Sequence, residues 1–348
     1  MTDPELGTNG TSNTSAAAAP FETAPAALCR QVIADFIGDP ARNNLGPGCA
    51  DPAWADFLLG FAAGDDPLWL EMKTAAGREH WTPIEAWAAG QDTGAASEGA
   101  VNPKQPATPW AAMPAGGAAP EGAAPGTEAA ASRAATPTEL TVVSWAVIQT
   151  ETTKASNRAE SRMPSEPWAR ARVFGQQANR DLHLALLLAL RGAGYEAIAP
   201  AQLPAWGEVD QGGDGWRSTW SERHVAYVSG LGTFGLSGGL ITEKGKAVRF
   251  GSLIVRAMVP ATPRAYSGPF DYCLHYSGDG CAECADRCPA GSVDPAGRDK
   301  TACKLLLDRA EGYIKEHYGF DGYGCGLCQT DVPCESGIPE GLRPPASR

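Results

Sequence analysis

Near its C-terminal end the chain contains the segment Cys281-Ala-Glu-Cys284-Ala-Asp-Arg-Cys288-Pro289. Two cysteines stand two residues apart, a third follows after three more, and a proline comes directly after the third. Eight of the 10 cysteines of the chain lie in this part of the sequence, and their spacing divides them into two sets of four. In chain order they are Cys273, Cys281, Cys284, Cys288, Cys303, Cys325, Cys328 and Cys334.

Two sets of four cysteines are the ligand count of two [4Fe-4S] clusters. A pair separated by two residues can place two sulfurs on one cluster from a single tight loop, and the wider gaps bring in the other ligands. In bacterial ferredoxins with two clusters, the cysteine before the proline binds the other cluster. The pattern therefore predicts an interlocked two-cluster unit, a small ferredoxin-like C-terminal domain over residues 266–340.

Other assignments remain open for these cysteines. The pairs Cys281/Cys284 and Cys325/Cys328 could together hold one zinc ion, although zinc or a single cluster leaves four cysteines without a role. Disulfides are typical of small secreted proteins, whereas this chain is large and crowds its cysteines at one end. His275 could replace a thiolate in principle, but eight cysteines make that unnecessary.

The size and charge of the chain narrow the classes of function. With 348 residues there is room for a core domain of about 200 residues and a smaller cofactor-bearing end. A formal charge of −12 repels phosphate backbones and anionic membrane surfaces, which argues against nucleic-acid binding. Without a secretory pattern near Met1, and with a longest apolar run of only Leu184–Leu190, we expect a cytoplasmic protein that does not enter a membrane.

Composition and periodicity divide the chain into five parts. They predict a mixed α/β core domain, of the α/β or α+β class, between a helical N-terminal prelude and the two-cluster domain. The Ala-, Gly- and Pro-rich stretch inside the chain has few groups that could build a core. The predicted parts are a disordered tail (1–22), a helical N-terminal region (23–90), a low-complexity linker or insertion (91–138), an α/β cofactor or substrate domain (139–265) and the two-cluster domain (266–340).

The predicted elements follow from apolar periodicity and capping signals. In the N-terminal region, Thr82-Pro-Ile-Glu85 is a capping box that opens a helix into Trp87. The other helices are predicted at about Pro25–Ile37, Trp54–Phe61, Asp66–Lys73, Trp168–Leu190, Ser221–Val228 and Lys300–Lys315. Strands are predicted at Leu140–Gln149, Gly194–Ile198 and Val248–Met258.

The segment Gly230-Leu-Gly232-Thr-Phe-Gly235 matches the G-x-G-x-x-G pattern of dinucleotide-binding folds. It follows a helical stretch and not a strand, so the structural context that this motif requires is missing. A helix C-cap at Gly230, followed by a loop in which missing side chains allow a close approach of the backbone, explains the glycines better.

This block, from Trp220 to Ser237, resembles the epoxyqueuosine reductase family when it is taken together with the Ala247–Ser252 strand and the Cys-Pro motif. That family is related to the cobalamin-dependent reductive dehalogenases, and the resemblance covers roughly residues 140–335. It implies an α/β domain that holds a cobalamin, with two clusters delivering electrons from an external donor of the ferredoxin or flavodoxin type. It also implies that Gly230, Gly232 and Gly235 lie close to the corrin.

By the same resemblance, the ferredoxin-like crossing divides the eight ligands between the clusters. Cys273, Cys281, Cys284 and Cys334 would hold one cluster, and Cys288, Cys303, Cys325 and Cys328 the other. The chain departs from the family pattern at Trp216–Trp220, where the family carries an Asp proton donor. The substrate, a small molecule or a modified nucleoside, therefore stays open.

Four further side chains are candidates for binding or catalysis. His224 and Tyr227 are three residues apart on one helix face, where they could donate protons near a cofactor. A structural role for both in the core is the alternative, and the neighbouring Glu222 and Arg223 are predicted to be surface charges. Arg158 and Arg249 could clamp an anionic group, or could be ordinary surface arginines.

The sequence thus favours an iron–sulfur oxidoreductase in which two clusters pass electrons to a cofactor or substrate in the α/β domain. A non-catalytic electron-transfer protein of the ferredoxin type is an alternative, because the family's proton donor is missing. A zinc-stabilised binding protein is another.

Overall fold

The computed structural model of the protein describes residues 23–91, 134–210, 216–295 and 297–343. The predicted tail over 1–22 and most of the predicted linker, residues 92–133, lie outside the described residues. Within the described ranges, no helix is long and apolar enough to cross a membrane.

The described residues form a mixed α/β fold, as the sequence predicts. The helices are α1 (Ala24–Gly38), α2 (Leu68–Ala75), α3 (Pro83–Gln91), α4 (Glu151–Arg158), α5 (Glu166–Gly192), α6 (Glu222–Val228), α7 (Glu283–Asp286) and α8 (Lys300–Tyr318). The strands are β1 (Trp54–Ala63), β2 (Leu140–Gln149), β3 (Ala197–Ile198), β4 (Glu208–Asp210), β5 (Trp216–Ser218), β6 (Gly232–Phe234), β7 (Leu240–Thr242), β8 (Val248–Arg256), β9 (Val293–Asp294) and β10 (Gly297–Arg298).

The main sheet has the strand order β1-β2-β8-β3, and every neighbouring pair is antiparallel. Strand β2 lies inside it, and all of its residues are buried. Its apolar and β-branched residues suit a strand that is covered on both faces. The strand predicted at Leu140–Gln149 is confirmed residue for residue.

The helix predicted at Trp54–Phe61 is wrong, because this stretch belongs to strand β1. It pairs with β2 along its whole length, from Trp54 opposite Gln149 to Ala63 opposite Thr141. A short apolar run fits a buried strand and a buried helix equally well by periodicity, and only the pairing with β2 decides between them. The N-terminal region therefore supplies an edge strand of the main sheet, so it is not a purely helical prelude.

Two apolar layers cover the two faces of the sheet, following the alternation of side chains along β2. Val143 and Trp145 point to one face, where α1 and α5 pack. Val142 and Ala146 point to the other, where α2, α3 and α6 pack. The long α5 spans the first layer and extends towards the cysteine-rich end, where it contacts α8.

The helix boundaries agree with the capping signals in the sequence. In the capping box of α3, the Thr82 backbone N–H donates to Glu85 at 2.7 Å, and the Glu85 N–H donates to the Thr82 hydroxyl at 3.4 Å. At the start of α5, the Ser165 hydroxyl accepts from the Trp168 N–H at 3.3 Å. The predicted helices at residues 168–190 and 300–315 are confirmed and extend slightly further.

A small separate core holds the cysteine-rich end together. Apolar side chains from β7, the loop before α7 and the C-terminal segment pack around the thiols. Its buried members are Leu236, Ile241, Tyr272, Cys273, Cys284, Val293, Val332 and Ile338.

Candidate functional site

The thiols of the cysteine-rich end lie close enough together to influence one another's pKa. Burial raises the pKa of Cys284 to about 11, and the thiols of Cys328, Cys334 and Cys273 raise it further, whereas Lys246 lowers it. Burial likewise raises the pKa of Cys325 to about 12, and Cys328 contributes to this rise. The thiols of Cys303 and Cys288 act on Cys325 in the same way.

Cys328 of the predicted second set (Cys288, Cys303, Cys325 and Cys328) thus acts on Cys284 of the predicted first set. The division of the eight cysteines between two clusters stays a prediction. All 10 cysteines of the chain carry free thiols. His275, which the sequence offered as a substitute ligand, lies 3.1 Å from the Cys281 carbonyl oxygen through its Nδ1.

Cationic and N–H groups point at the thiols. Arg298 donates to the Cys303 sulfur at 2.8 Å, and the backbone N–H of Ser292 donates to the Cys288 sulfur at 3.3 Å. Lys246 is only 3% exposed. Burial alone would lower the pKa of Lys246, but nearby thiols raise this pKa, and the Cys334 thiol has the largest effect among them. Hydrogen bonds and positive charge around sulfur are what thiolates bound to an iron–sulfur cluster require, so the residues present fit this cofactor.

The described residues contain no group of three or more His, Cys, Asp or Glu side chains arranged around a single metal ion. Four thiolates on one zinc ion would need sulfurs about 3.8 Å apart, given tetrahedral bonds of about 2.3 Å. A cubane holds its ligands at the outer corners of a much larger body.

A cavity of about 520 Å³ lies between the sheet domain and the cysteine-rich end. All four cysteines of the second set line it, whereas none of the first set does. Its opposite wall consists of residues from α5, α6 and β8, together with several aromatic side chains. A molecule in this cavity would therefore face the second set of thiols directly. The aromatic lining residues are Trp168, Trp206, Trp220, Phe250 and Tyr323.

Two charged residues on α6 that the sequence assigned to the surface line this cavity, and the prediction was wrong for the first of them, Glu222. Both carboxylate oxygens of Glu222 are buried without a hydrogen-bond partner, and one lies 3.9 Å from the equally unpartnered His183 Nε2. His183 Nδ1 lies 2.7 Å from the Asn179 carbonyl oxygen, so Nδ1 carries the proton in the neutral ring. This pair can hold or move a proton at the cavity wall. The second residue, Arg223, is exposed, as the sequence predicts.

Little in the local sequence indicates this arrangement. Glu222 lies opposite His224 on a helix wheel, where an acidic side chain usually faces water. The cysteine-rich end closes over this face of α6, and that tertiary contact cannot be derived from the helix alone.

His224 and Tyr227, the predicted proton donors, share one face of α6 as expected, but they pack inside the sheet domain. Their rings lie 4.8 and 5.9 Å from the ring of Phe234, and neither residue lines the cavity. The Nδ1 of His224 is 2.8 Å from the Ser221 hydroxyl. Tyr227 is 6% exposed and stacks on Tyr266 at 5.3 Å. These contacts agree with the structural alternative, and a catalytic role stays an untested prediction.

Two buried histidines beside α6 should make the protein sensitive to acid. Burial lowers the pKa of His80 to about 4 and that of His224 to about 3. Both therefore stay neutral in the folded chain, while the unfolded chain protonates them below pH 6.5. Stability is thus lost as pH falls below 6.5, by about 2 kcal/mol per histidine at pH 5.

Denaturant unfolding at pH 7 and pH 5 tests this expectation. In His224→Asn the loss between the two pH values should shrink by about 2 kcal/mol. The exposed His317 provides the control, since His317→Asn should keep the full loss. An unchanged pH dependence in His224→Asn would show that this ring is not held neutral.

The three glycines of the predicted cofactor loop lie outside the lining of the cavity. Gly232 pairs with β7, and a Cβ at this position would overlap the carbonyl oxygen of Ile241. Gly230 has a φ of +81° after the end of α6, and Gly235 lies against the side chain of Ile241. Strand pairing and a helix end thus explain Gly232 and Gly230, and their contact with a corrin stays a prediction.

The two arginines predicted to clamp an anion have different surroundings. Arg158 forms an ion pair with Glu151 at 2.7 Å, and its Nε donates to Glu335 at 3.0 Å. Its anionic partners therefore come from the chain itself, and the side chain ties α4 to the segment after Cys334. Arg249 lines the cavity.

No family model and no curated protein match the chain. Solved structures that match include an epoxyqueuosine reductase labelled with selenomethionine (16% identity, TM-score 0.38) and that of Bacillus subtilis (15%, 0.38). Each alignment covers 91% of this chain and 68% of the other. The catabolic reductive dehalogenase NpRdhA matches at 15% identity and a TM-score of 0.39, over 61% of this chain and 28% of its own. These are the two groups that the sequence resembles, and a likeness at this level concerns the fold alone.

Proposed function

We propose that the protein is an iron–sulfur oxidoreductase that passes electrons through two [4Fe-4S] clusters to a small molecule bound in the cavity. The observation that carries this proposal is the position of Cys288, Cys303, Cys325 and Cys328 on the cavity wall. The first set, Cys273, Cys281, Cys284 and Cys334, would hold the cluster further from the ligand. Electrons from an external donor would then enter at the first set and leave at the second.

The clusters would supply single electrons, and the chain would supply the rest of the chemistry. Arg298 and Lys246 stabilise negative charge on the thiolates, because they lie beside the sulfurs in a poorly solvated site. The cavity wall shields a bound ligand from water. Glu222 and His183 are placed to deliver the proton that usually accompanies an added electron.

The proton-transfer pair favours an enzyme over a simple electron carrier. A carrier needs clusters near its surface but needs neither a ligand cavity nor an unpartnered carboxyl group inside one. Glu222 would take the part of the Asp that the epoxyqueuosine reductase family carries before this helix. The cytoplasm, a reducing compartment, suits such thiolates.

Cobalamin, which the resemblance implies, is a poor fit for the cavity. Cavities of about 300–1,000 Å³ hold drug-sized molecules. The volume here is about 520 Å³, and a cluster on the second set of thiols would occupy part of it. A complete corrin with its side chains would require the cavity to widen, so we propose a smaller electron acceptor.

Anaerobic reconstitution with iron and sulfide, followed by reductive titration, tests this function. We expect uptake of about two electrons per chain, one for each cluster, with paramagnetic signals from both. Titration with cob(II)alamin should then leave its optical spectrum unchanged. A protein that takes up no electrons would contradict the redox proposal, and stoichiometric binding of cob(II)alamin would contradict the small acceptor.

A further inference from the structure

Three arginines line the same cavity. Arg172 and Arg180 project from α5, two turns apart, and Arg249 projects from β8. The ring of Tyr323 lies beside them, 4.3 Å from the guanidinium carbon of Arg172. We call Arg172, Arg180 and Arg249 the arginine trio.

No described carboxylate forms an ion pair with the trio, although Glu208 acts on Arg172 and Asp181 acts on Arg180 from a greater distance. No described carboxylate lies within 4.0 Å of any of the three guanidinium groups, although ten other described arginine and lysine side chains form such pairs with carboxylates. Glu208 and Glu222 also line the cavity, but neither forms an ion pair with the trio. The Nε of Arg249 is buried and lacks a hydrogen-bond partner. A buried N–H donor without an acceptor is costly, which indicates that an acceptor is supplied from outside the chain.

The three charges also repel one another. Burial lowers the pKa of Arg249 to about 9, and the nearby Arg172 lowers it further. Burial lowers the pKa of Arg172 too, and Arg180 adds to this effect. Like charges gathered in a poorly solvated place destabilise the fold unless an anion compensates them. The concentration of positive charge stands out because the chain as a whole carries −12.

The clusters would not compensate these charges, because other cations serve the thiols. Arg298 donates to the Cys303 sulfur. Arg223 interacts with Cys328 and Cys303, and Lys246 interacts with Cys334. No thiol is among the groups that shift the pKa of the trio. The cavity is thus lined by two groups of cationic side chains. One group interacts with the sulfurs, and the other, the trio, would be available to a bound ligand.

We propose that the arginine trio binds an oxyanion, a carboxylate or a phosphate group, of the small molecule in the cavity. A guanidinium presents its N–H donors in a planar fork that matches the oxygens of either group. The proposal rests on the proposed function only in that the bound molecule would be the electron acceptor. It places the anionic end at the trio and leaves the rest of the molecule between the aromatic residues and the second set of thiols.

Calorimetric titration of the reconstituted full-length chain with succinate and with pyrophosphate tests the site. We expect one of the two to bind with a stoichiometry of one per chain. Succinate binding would identify a carboxylate site and pyrophosphate binding a phosphate site, while dimethyl succinate, which has no charge, should not bind. Absence of binding by both anions at millimolar concentration would overturn the proposal.

Single arginine variants test which side chains contribute to binding of the anion. Arg249→Gln should weaken binding of the anion at least 10-fold, as expected for loss of a charged hydrogen-bond donor. Arg309→Gln, on the exposed side of α8, should leave the dissociation constant unchanged. Should Arg249→Gln fail to fold, Arg180→Gln at the more open end of the trio replaces it. Equal affinity in the trio variants and the control would overturn the assignment.

The iron content of each sample separates this proposal from the proposed function. A protein with about eight irons that binds no anion would refute the trio alone. A protein without iron that still binds the anion, and loses it in Arg249→Gln, would refute the redox function and leave the trio standing.

Discussion

Cys288→Ala should lower the iron content of the reconstituted protein from about eight atoms per chain to about four. The thiol of Cys288 lies on the cavity wall, accepts a hydrogen bond from Ser292 and interacts with Cys325 of the same set. Removing one of four ligands opens a corner of the cubane, and metal binding contributes directly to the folding of such a domain. We therefore also expect the cysteine-rich end to become less stable.

Two further variants make the result specific. Cys49→Ala, far from the cysteine-rich end in sequence, should keep all of the iron. Cys281→Ala should also lose about four irons but should keep the cluster at the cavity. Full iron content in Cys288→Ala would show that this thiol is not a ligand.

Gly232→Ala should destabilise the whole chain by about 3 kcal/mol. The new Cβ would overlap the carbonyl oxygen of Ile241, which is backbone and cannot move without breaking the pairing of β6 with β7. Ile241 belongs to the small core that packs around the thiols, so the disturbance should spread to them. The measurement is the free energy of unfolding in denaturant at pH 7.

Gly38→Ala is the matched control, because a Cβ there meets nothing within 4 Å. It should change the free energy of unfolding by less than about 1 kcal/mol. If Gly232→Ala kept the full stability and lost only the binding of a ligand, the corrin contact first predicted for this loop would be the better explanation.

Much of the fold could be predicted from local patterns. The apolar and β-branched run at Leu140–Gln149 indicated a covered strand, and the capping signals at Thr82 and the periodicity of α5 indicated helices. Each of these signals depends on residues that are close together in the sequence. The corresponding strand or helix can therefore be assigned without knowing the tertiary structure. The stretch at Trp54–Phe61 could not be assigned in this way, because its conformation is fixed by pairing with β2.

The candidate site, too, could be predicted from the sequence only in part. The cysteines could be found because the ligands of a metal centre must be of particular types at workable spacings. The roles of Glu222 and Arg158 depend on which distant segment covers them, the cysteine-rich end in one case and Glu335 in the other. No local pattern encodes such contacts. The sequence therefore favoured His224 and Tyr227, whose residue types and spacing can be recognised without the structure.

We propose that eight thiols hold two [4Fe-4S] clusters, and the iron, acid-labile sulfide and zinc content of the anaerobically purified full-length protein tests this directly. We expect about eight irons and about eight sulfides per chain, in a brown protein. A colourless protein with one zinc ion and no sulfide would contradict it.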